Sequence, residues 1–90
     1  MFESDDCAYC AAWEHDVGGI YPLTDESRRL RLERISIDEQ GSMQGLNKPI
    51  RFTPTFIVMF KGHEIGRIEG YRSEDAFWGL LGRLIDELDK

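Results

Sequence analysis

Cys7 and Cys10 are the only thiols in the chain, and they stand three apart in "DDCAYCAAW". A pair at this spacing suits redox chemistry if the segment opens a helix. Cys7 then lies at the helix cap, where backbone N–H groups and the positive end of the helix dipole favour the thiolate, the attacking form of cysteine. Cys10 lies one turn further in and is less exposed. It could displace a partner from a mixed disulfide on Cys7 while closing an intramolecular bond. Asp5 and Asp6 work against this, since two carboxylates beside Cys7 raise its pKa; a milder thiolate is expected than in a strongly oxidising dithiol. Two other readings stay open on the residues alone: inert core thiols, or half of a metal site. Only His15 and His63 could join the cysteines on a metal. One falls on the wrong side of the helix and the other in a remote turn, so no metal is expected and both histidines read as surface residues.

The elements that must position the pair follow from periodicity. Met1 to Glu3 reads as the end of a strand, followed by a turn at Ser4, Asp5 and Asp6. Cys10, Trp13, Val17, Ile20 and Tyr21 recur at helical spacing, which predicts a first helix from Cys7 that Gly18 and Gly19 weaken and Pro22 ends. Thr24 to Arg29 is a turn or short helical piece. Leu30 to Asp38 alternates as a second strand, and Gly41 to Asn47 is a loop or short helix. "TFIVMF", Thr55 to Phe60, is a continuous apolar run expected as a central strand covered on both faces. Lys61 to Glu64 turns into an antiparallel partner ending at Glu69. Ser73 caps a last helix whose apolar stripe is Phe77, Leu80, Leu81, Leu84, Ile85 and Leu88. A strand, helix, strand start followed by a hairpin implies an α/β sheet with a right-handed crossover, and the dithiol falls at the carboxyl end of its first strand.

Ninety residues with 41% apolar composition make one compact domain, residues 1–90. A net charge of −6 excludes a nucleic-acid-binding surface, which is built from Lys and Arg. The run Arg28, Arg29, Arg31 and Arg34 is diluted by Glu26 and Glu33 and reads as a solvated face. No apolar segment approaches the roughly 20 residues of a membrane span, and no signal peptide is read at the acidic N-terminus. With no large unassigned apolar face, a monomer is expected. Pro54 opens the apolar strand, where a proline costs no ladder hydrogen bond.

"CAYC" at a helix start, "FTPTFIVMFKGHEIGRIEG" far downstream and an amphipathic terminal helix together resemble the thioredoxin superfamily across essentially the whole chain. Cys-x-Tyr-Cys is similar to the glutaredoxin motif. "CAYCAAW", "IYP", "FTPTF", "GRIEGY" and "FWGLL" resemble the small thioredoxin-like proteins encoded with bacterial sulfur-oxidation systems. The resemblance implies a minimal thioredoxin-like fold: a four-stranded mixed sheet in the order β-α-β-α-β-β-α with flanking helices. It implies a thiol-disulfide oxidoreductase, a reductase rather than an oxidant, with Cys7 attacking, Cys10 resolving and Pro54 in a cis-proline loop facing them. Thr53 would offer its backbone to a substrate peptide as to an added strand, and Tyr9 would shape the partner surface. Trp13 and Trp78 are assigned to packing. The partners implied are a disulfide-bearing protein and an upstream thiol reductant, in the periplasm. No bound cofactor is implied, because the electrons reside in the dithiol.

The chain departs from these families where Ala8 replaces the usual proline, where no Trp precedes Cys7, and where Met1 takes the place of thioredoxin's buried carboxylate. The first strand and helix of full thioredoxins are absent, which leaves Leu30 to Asp38 as a sheet edge, and the strand at Met1 is either minimal or cut short. Two rivals to a protein-disulfide reductase remain. One is a glutathione-dependent glutaredoxin holding the tripeptide at Thr53, Pro54 and the helix start near Gly70, Ser73, Glu74 and Asp75. The other is a non-catalytic binding module.

Overall fold

The computed structural model describes residues 1–90. A four-stranded mixed sheet has the order β2-β1-β3-β4, with β1 Phe2–Glu3, β2 Ile35–Ser36, β3 Thr55–Phe60 and β4 His63–Glu69. β1 runs parallel to β2 and antiparallel to β3, and β3 and β4 form an antiparallel hairpin turned at Lys61 and Gly62, both with positive φ. β2 is the sheet edge expected from the sequence.

The connections differ from expectation in three places. The first helix is regular only over α1, Ala8–Trp13, and continues as a π turn over Glu14–Gly18. Gly18 is buried against the side chains of Glu14 and Trp13, with no room for a Cβ. Pro22 is the second residue of a separate 3-10 turn, Tyr21–Leu23, whose first-turn N–H groups have no partner within the turn, so its missing N–H costs nothing. The expected strand over Leu30 to Asp38 contracts to Ile35–Ser36, because a strand pairs only where a partner is present and β1 is two residues long. Leu30 and Leu32 pack on the core outside any ladder, and the helical turn before the hairpin is 3-10 and lies earlier, at Ile37–Ser42, than the loop or short helix expected over Gly41 to Asn47. α2, Asp25–Arg29, is the short helical piece expected there, capped by Thr24.

The core lies between the sheet, α1 and α3, Glu74–Leu88. Trp13 has no exposed surface and packs 5.2 Å from Phe56 and 5.8 Å from Phe77, centre to centre. Trp78 stacks on Tyr21. The stripes hold except at their rims, where Ile20 and Leu80 are exposed, as is Phe60 at the end of β3. The arginine run is not merely solvated. Arg34 lies over the Trp13 ring and pairs with Glu14, and Arg29 pairs with Asp89 beyond the end of α3.

The segment leading into β3 has no strand to hold it, and three polar side chains do so instead. Gln40 brackets Ile50, accepting its N–H at 2.7 Å and donating to its C=O at 3.0 Å. Arg67 donates to the carbonyls of Lys48 and Pro49, at 2.9 and 3.3 Å. Glu64, almost wholly buried, accepts from Arg67 twice at 2.7 Å and from the Asn47 N–H at 2.9 Å. The Arg67 guanidinium, helped by that N–H, holds the Glu64 carboxyl below its ordinary range against the cost of burial. A depressed folded-state pKa means that the pairing stabilises fully above the unfolded carboxylate range and is lost as pH falls through the folded value. Glu64→Gln should therefore cost about 2 kcal/mol at pH 7, and the gap from the parent in urea midpoints should close as the pH falls below the ordinary carboxylate range. A gap that does not narrow with acid would show that the charge contributes nothing.

Candidate functional site

The exposed turn at Asp5 and Asp6 delivers Cys7 to the start of α1. Cys7 is the N-cap, with extended backbone (φ −105°, ψ 101°), and its Sγ accepts the Cys10 N–H at 3.0 Å. A sulfur thus stands where a serine or aspartate oxygen commonly satisfies the free N–H groups of a first turn. Cys10 is buried among core residues while Cys7 is only half-buried. The two are joined in a disulfide, with Cα atoms 5.1 Å apart.

Facing this turn is the segment that enters β3. The Ser4 and Thr53 hydroxyls lie 3.0 Å apart, which ties the approach to Cys7 to the approach to β3. The Thr53–Pro54 peptide bond is cis. Pro54 is fully buried and its C=O accepts the Gly70 N–H at 2.7 Å, while the Thr55 hydroxyl donates to the Phe52 C=O at 2.6 Å. Thr53 itself lies before β3, half-buried, and is held through its side chain. A groove of about 530 Å³ lies here, lined by Tyr9, Phe52, Thr53, Gly70, Tyr71 and Arg72. Gly70 turns the chain at the end of β4 with φ +82°, a conformation that L side chains rarely adopt.

Tyr71 underlies this groove. Its buried hydroxyl donates to Asp16 Oδ2 at 2.7 Å, and His15 Nδ1 lies 3.1 Å from the other Asp16 oxygen. The wall of the groove is thereby fastened to the π turn that continues the dithiol helix. Burial first, and then the Asp16 carboxylate, push the Tyr71 phenol up; the Tyr71 hydroxyl, more than His15, holds the Asp16 carboxyl down.

The residues singled out from sequence therefore gather at one end of the sheet. Cys7 and Cys10 form the disulfide, Tyr9 and Thr53 line the groove, and Pro54 is buried next to Thr53. Ser73 caps α3, and Glu74 and Asp75 are exposed on its first turn. His15 and His63 are exposed, and no group of three or more His, Cys, Asp or Glu side chains is arranged to hold a metal ion. Sequence reasoning missed Ser4, Phe52 and Arg72. Phe52 was the readable one, an aromatic just outside an apolar strand and 57% exposed. No helix is long and apolar enough to cross a membrane.

A sheet of this order, with a Cys-x-x-Cys pair opening the helix after its first parallel strand, is a thioredoxin-like oxidoreductase fold. Residues 1–85 match the family model of the thioredoxin-like domain, and the chain belongs to that family. Its structure is similar to the crystal structure of the periplasmic thioredoxin SoxS from Paracoccus pantotrophus in its reduced form. The two are 44% identical, with a TM-score of 0.91 over 98% of this chain and 94% of that one. No curated protein sequence matches the chain.

Replacing Tyr71 by phenylalanine should release the Asp16 carboxyl toward its usual range, read as an upward-shifted carboxyl titration by NMR. An unmoved titration would mean that the Tyr71 hydroxyl does not hold Asp16 in solution.

Proposed function

We propose that the protein is a thiol-disulfide oxidoreductase that reduces protein disulfides or mixed disulfides. The observation that carries the reading is the asymmetry of the pair. Cys7 is the more accessible sulfur and accepts a backbone N–H at a helix start, whereas Cys10 is buried behind it. The Cys7 thiolate attacks one sulfur of the substrate disulfide and expels the other as a thiolate that takes a proton from water. Cys10 then loses its proton to solvent, and its thiolate attacks Cys7 Sγ, expels the second substrate thiolate, which is protonated from water, and closes the Cys7–Cys10 bond. Two electrons pass from the dithiol to the substrate, and an upstream dithiol restores them.

The groove supports a substrate held as an extended peptide. Thr53 lies outside the sheet ladder beside Pro54, so its backbone can pair with a peptide as with an added strand, and Tyr9 offers an exposed aromatic face. A reductase is favoured over an oxidant because Asp5 and Asp6, exposed next to Cys7, oppose an extremely stable thiolate. The similar Paracoccus protein is a periplasmic thioredoxin, and we place this one in the periplasm on that ground.

Cys10→Ser should accumulate a mixed disulfide with a disulfide-bearing peptide, detected as a mass adduct on Cys7. Cys7→Ser should form none and should lose disulfide reduction altogether. An adduct on Cys10 in the Cys7→Ser protein at comparable rate would reverse the roles. The reduction potential of the pair should fall nearer the roughly −270 mV of thioredoxin than the roughly −120 mV of a strong oxidant, measured by equilibration in graded thiol-disulfide buffers. A value near the second figure would overturn the direction.

A further inference from the structure

The charge of −6 is not spread evenly over the chain. β1 runs into Asp5 and Asp6, and β2, parallel to it, runs into Asp38 and Glu39 at the same end of the sheet. β4 ends there at Glu69, and α3 follows with Glu74 and Asp75 in its first turn. All of these carboxylates are exposed, and no cation pairs with any of them. The opposite end is arranged otherwise. There Asp25, Glu33, Glu87 and Asp89 pair with Arg28, Arg31, Lys90 and Arg29, and Lys61 turns the β3–β4 hairpin. Arg51 and Arg72 are exposed at the dithiol end and offset only part of its charge.

Like charges that converge without partners oppose the compact state. The same end also exposes two aromatic side chains in one groove, Tyr9 at 65% and Phe52 at 57%. Both unfavourable features fall on the face that carries the dithiol. Both are relieved by a partner of opposite charge with an apolar residue to bury. The groove itself is electrically balanced, since Glu69 and Arg72 both line it. The excess of negative charge lies around it. After burial and Asp16, the Glu74 carboxylate is the next to push the Tyr71 phenol up, which sets Glu74 beside a residue that lines the groove.

We propose that this end of the molecule docks a cationic segment of its partner protein. An apolar side chain next to the partner's half-cystine lies against Tyr9 and Phe52, and lysine or arginine side chains on either side of it meet the surrounding carboxylates. The carboxylates come from three separate strand ends and a helix start, so they act as a field over the whole face: it speeds encounter with a basic partner and turns away an acidic one. The half-cystine rests on the redox reading above, whereas the docking of positive charge does not.

The test uses three peptides with a phenylalanine beside a single cysteine and lysine, serine or glutamate at the remaining positions. Each cysteine is capped as a neutral thiopyridyl disulfide. Attack by Cys7 of the reduced protein on the peptide sulfur then releases pyridinethione, read by absorbance, and each rate is divided by that with free mercaptoethanol. The lysine peptide should react about tenfold or more faster than the glutamate peptide at low salt, and the ratio should fall toward one at about 0.5 M salt. Glu69→Gln, Glu74→Gln and Asp75→Asn together should lower the ratio about threefold or more. Glu26→Gln, Asp86→Asn and Glu87→Gln, the same change of charge at the opposite end, should lower it far less. Equal rates for the three peptides, a faster glutamate peptide, or equal effects of the two sets of substitutions would overturn the proposal. The same peptides with serine for cysteine, titrated against the Thr53 and Gly70 amide signals, separate it from the redox reading. Tighter binding of the lysine peptide with no release of pyridinethione would keep the docking and remove the redox function, and release from all three peptides at one rate would do the reverse.

Discussion

One backbone pairing, Phe2 opposite Thr55, decides where the chemistry can be. Because β1 and β3 are antiparallel, the chain leaving β1 and the chain entering β3 meet at the same end of the sheet. Because β3 and β4 are antiparallel too, the chain leaving β4 meets them there. Cys7, Thr53 and Gly70 lie far apart in sequence and are neighbours for this reason alone. The parallel pairing of β1 with β2 then obliges the connection to cross over the sheet, and that crossover contains α1 with the dithiol at its start.

A site assembled from three strand ends has a shared difficulty, since the ladder that orders each strand is no longer available beyond it. The chain solves this with side chains. Ser4 is fastened to Thr53, the groove wall to the dithiol helix through Tyr71 and Asp16, and the approach to Pro54 to Gln40, Arg67 and Glu64. Burying the Glu64–Arg67 pair carries a desolvation cost that a well-packed apolar pair would avoid. What the ion pair adds is the capacity to satisfy three backbone groups at once, at Asn47, Lys48 and Pro49. Those are groups that no apolar side chain could serve.

This division explains what was readable from sequence. The dithiol at its helix cap, the β3–β4 hairpin and α3 are local: their periodicity, turn residues and caps lie within one stretch of chain. The short β2 is not local, because Ile35 and Ser36 are a strand only where Phe2 and Glu3 reach them, and the alternation from Leu30 onward carries no information about the partner's length. The π turn was hidden because Trp13, Val17 and Tyr21 all face the core, as a regular helix would have them do; only the fit of Gly18 against Glu14 marks the difference. Phe52 and Arg72 acquire a role only once the groove exists. The Glu64–Arg67 pair was unreadable for a related reason. Two charges three apart in an antiparallel strand are ordinary surface residues until a loop from elsewhere covers them.

The proposed chemistry draws on the two kinds of order in different ways. Attack by Cys7 depends on local structure, the cap hydrogen bond at its sulfur and the helix behind it, and any chain that folds this helix start would retain it. In that reading, presentation of a substrate disulfide to that sulfur depends on the opposing wall, where Thr53 is held through its side chain by Ser4 and Gly70 through its backbone N–H by the Pro54 carbonyl, both long-range contacts. Loosening the frame should therefore separate the two functions. The dithiol would still exchange with a small free disulfide, which needs no groove. A peptide that must lie along Thr53 would lose the backbone it pairs with, so the proposed function puts selectivity for extended protein substrates in the residues that hold the wall and not in the cysteines.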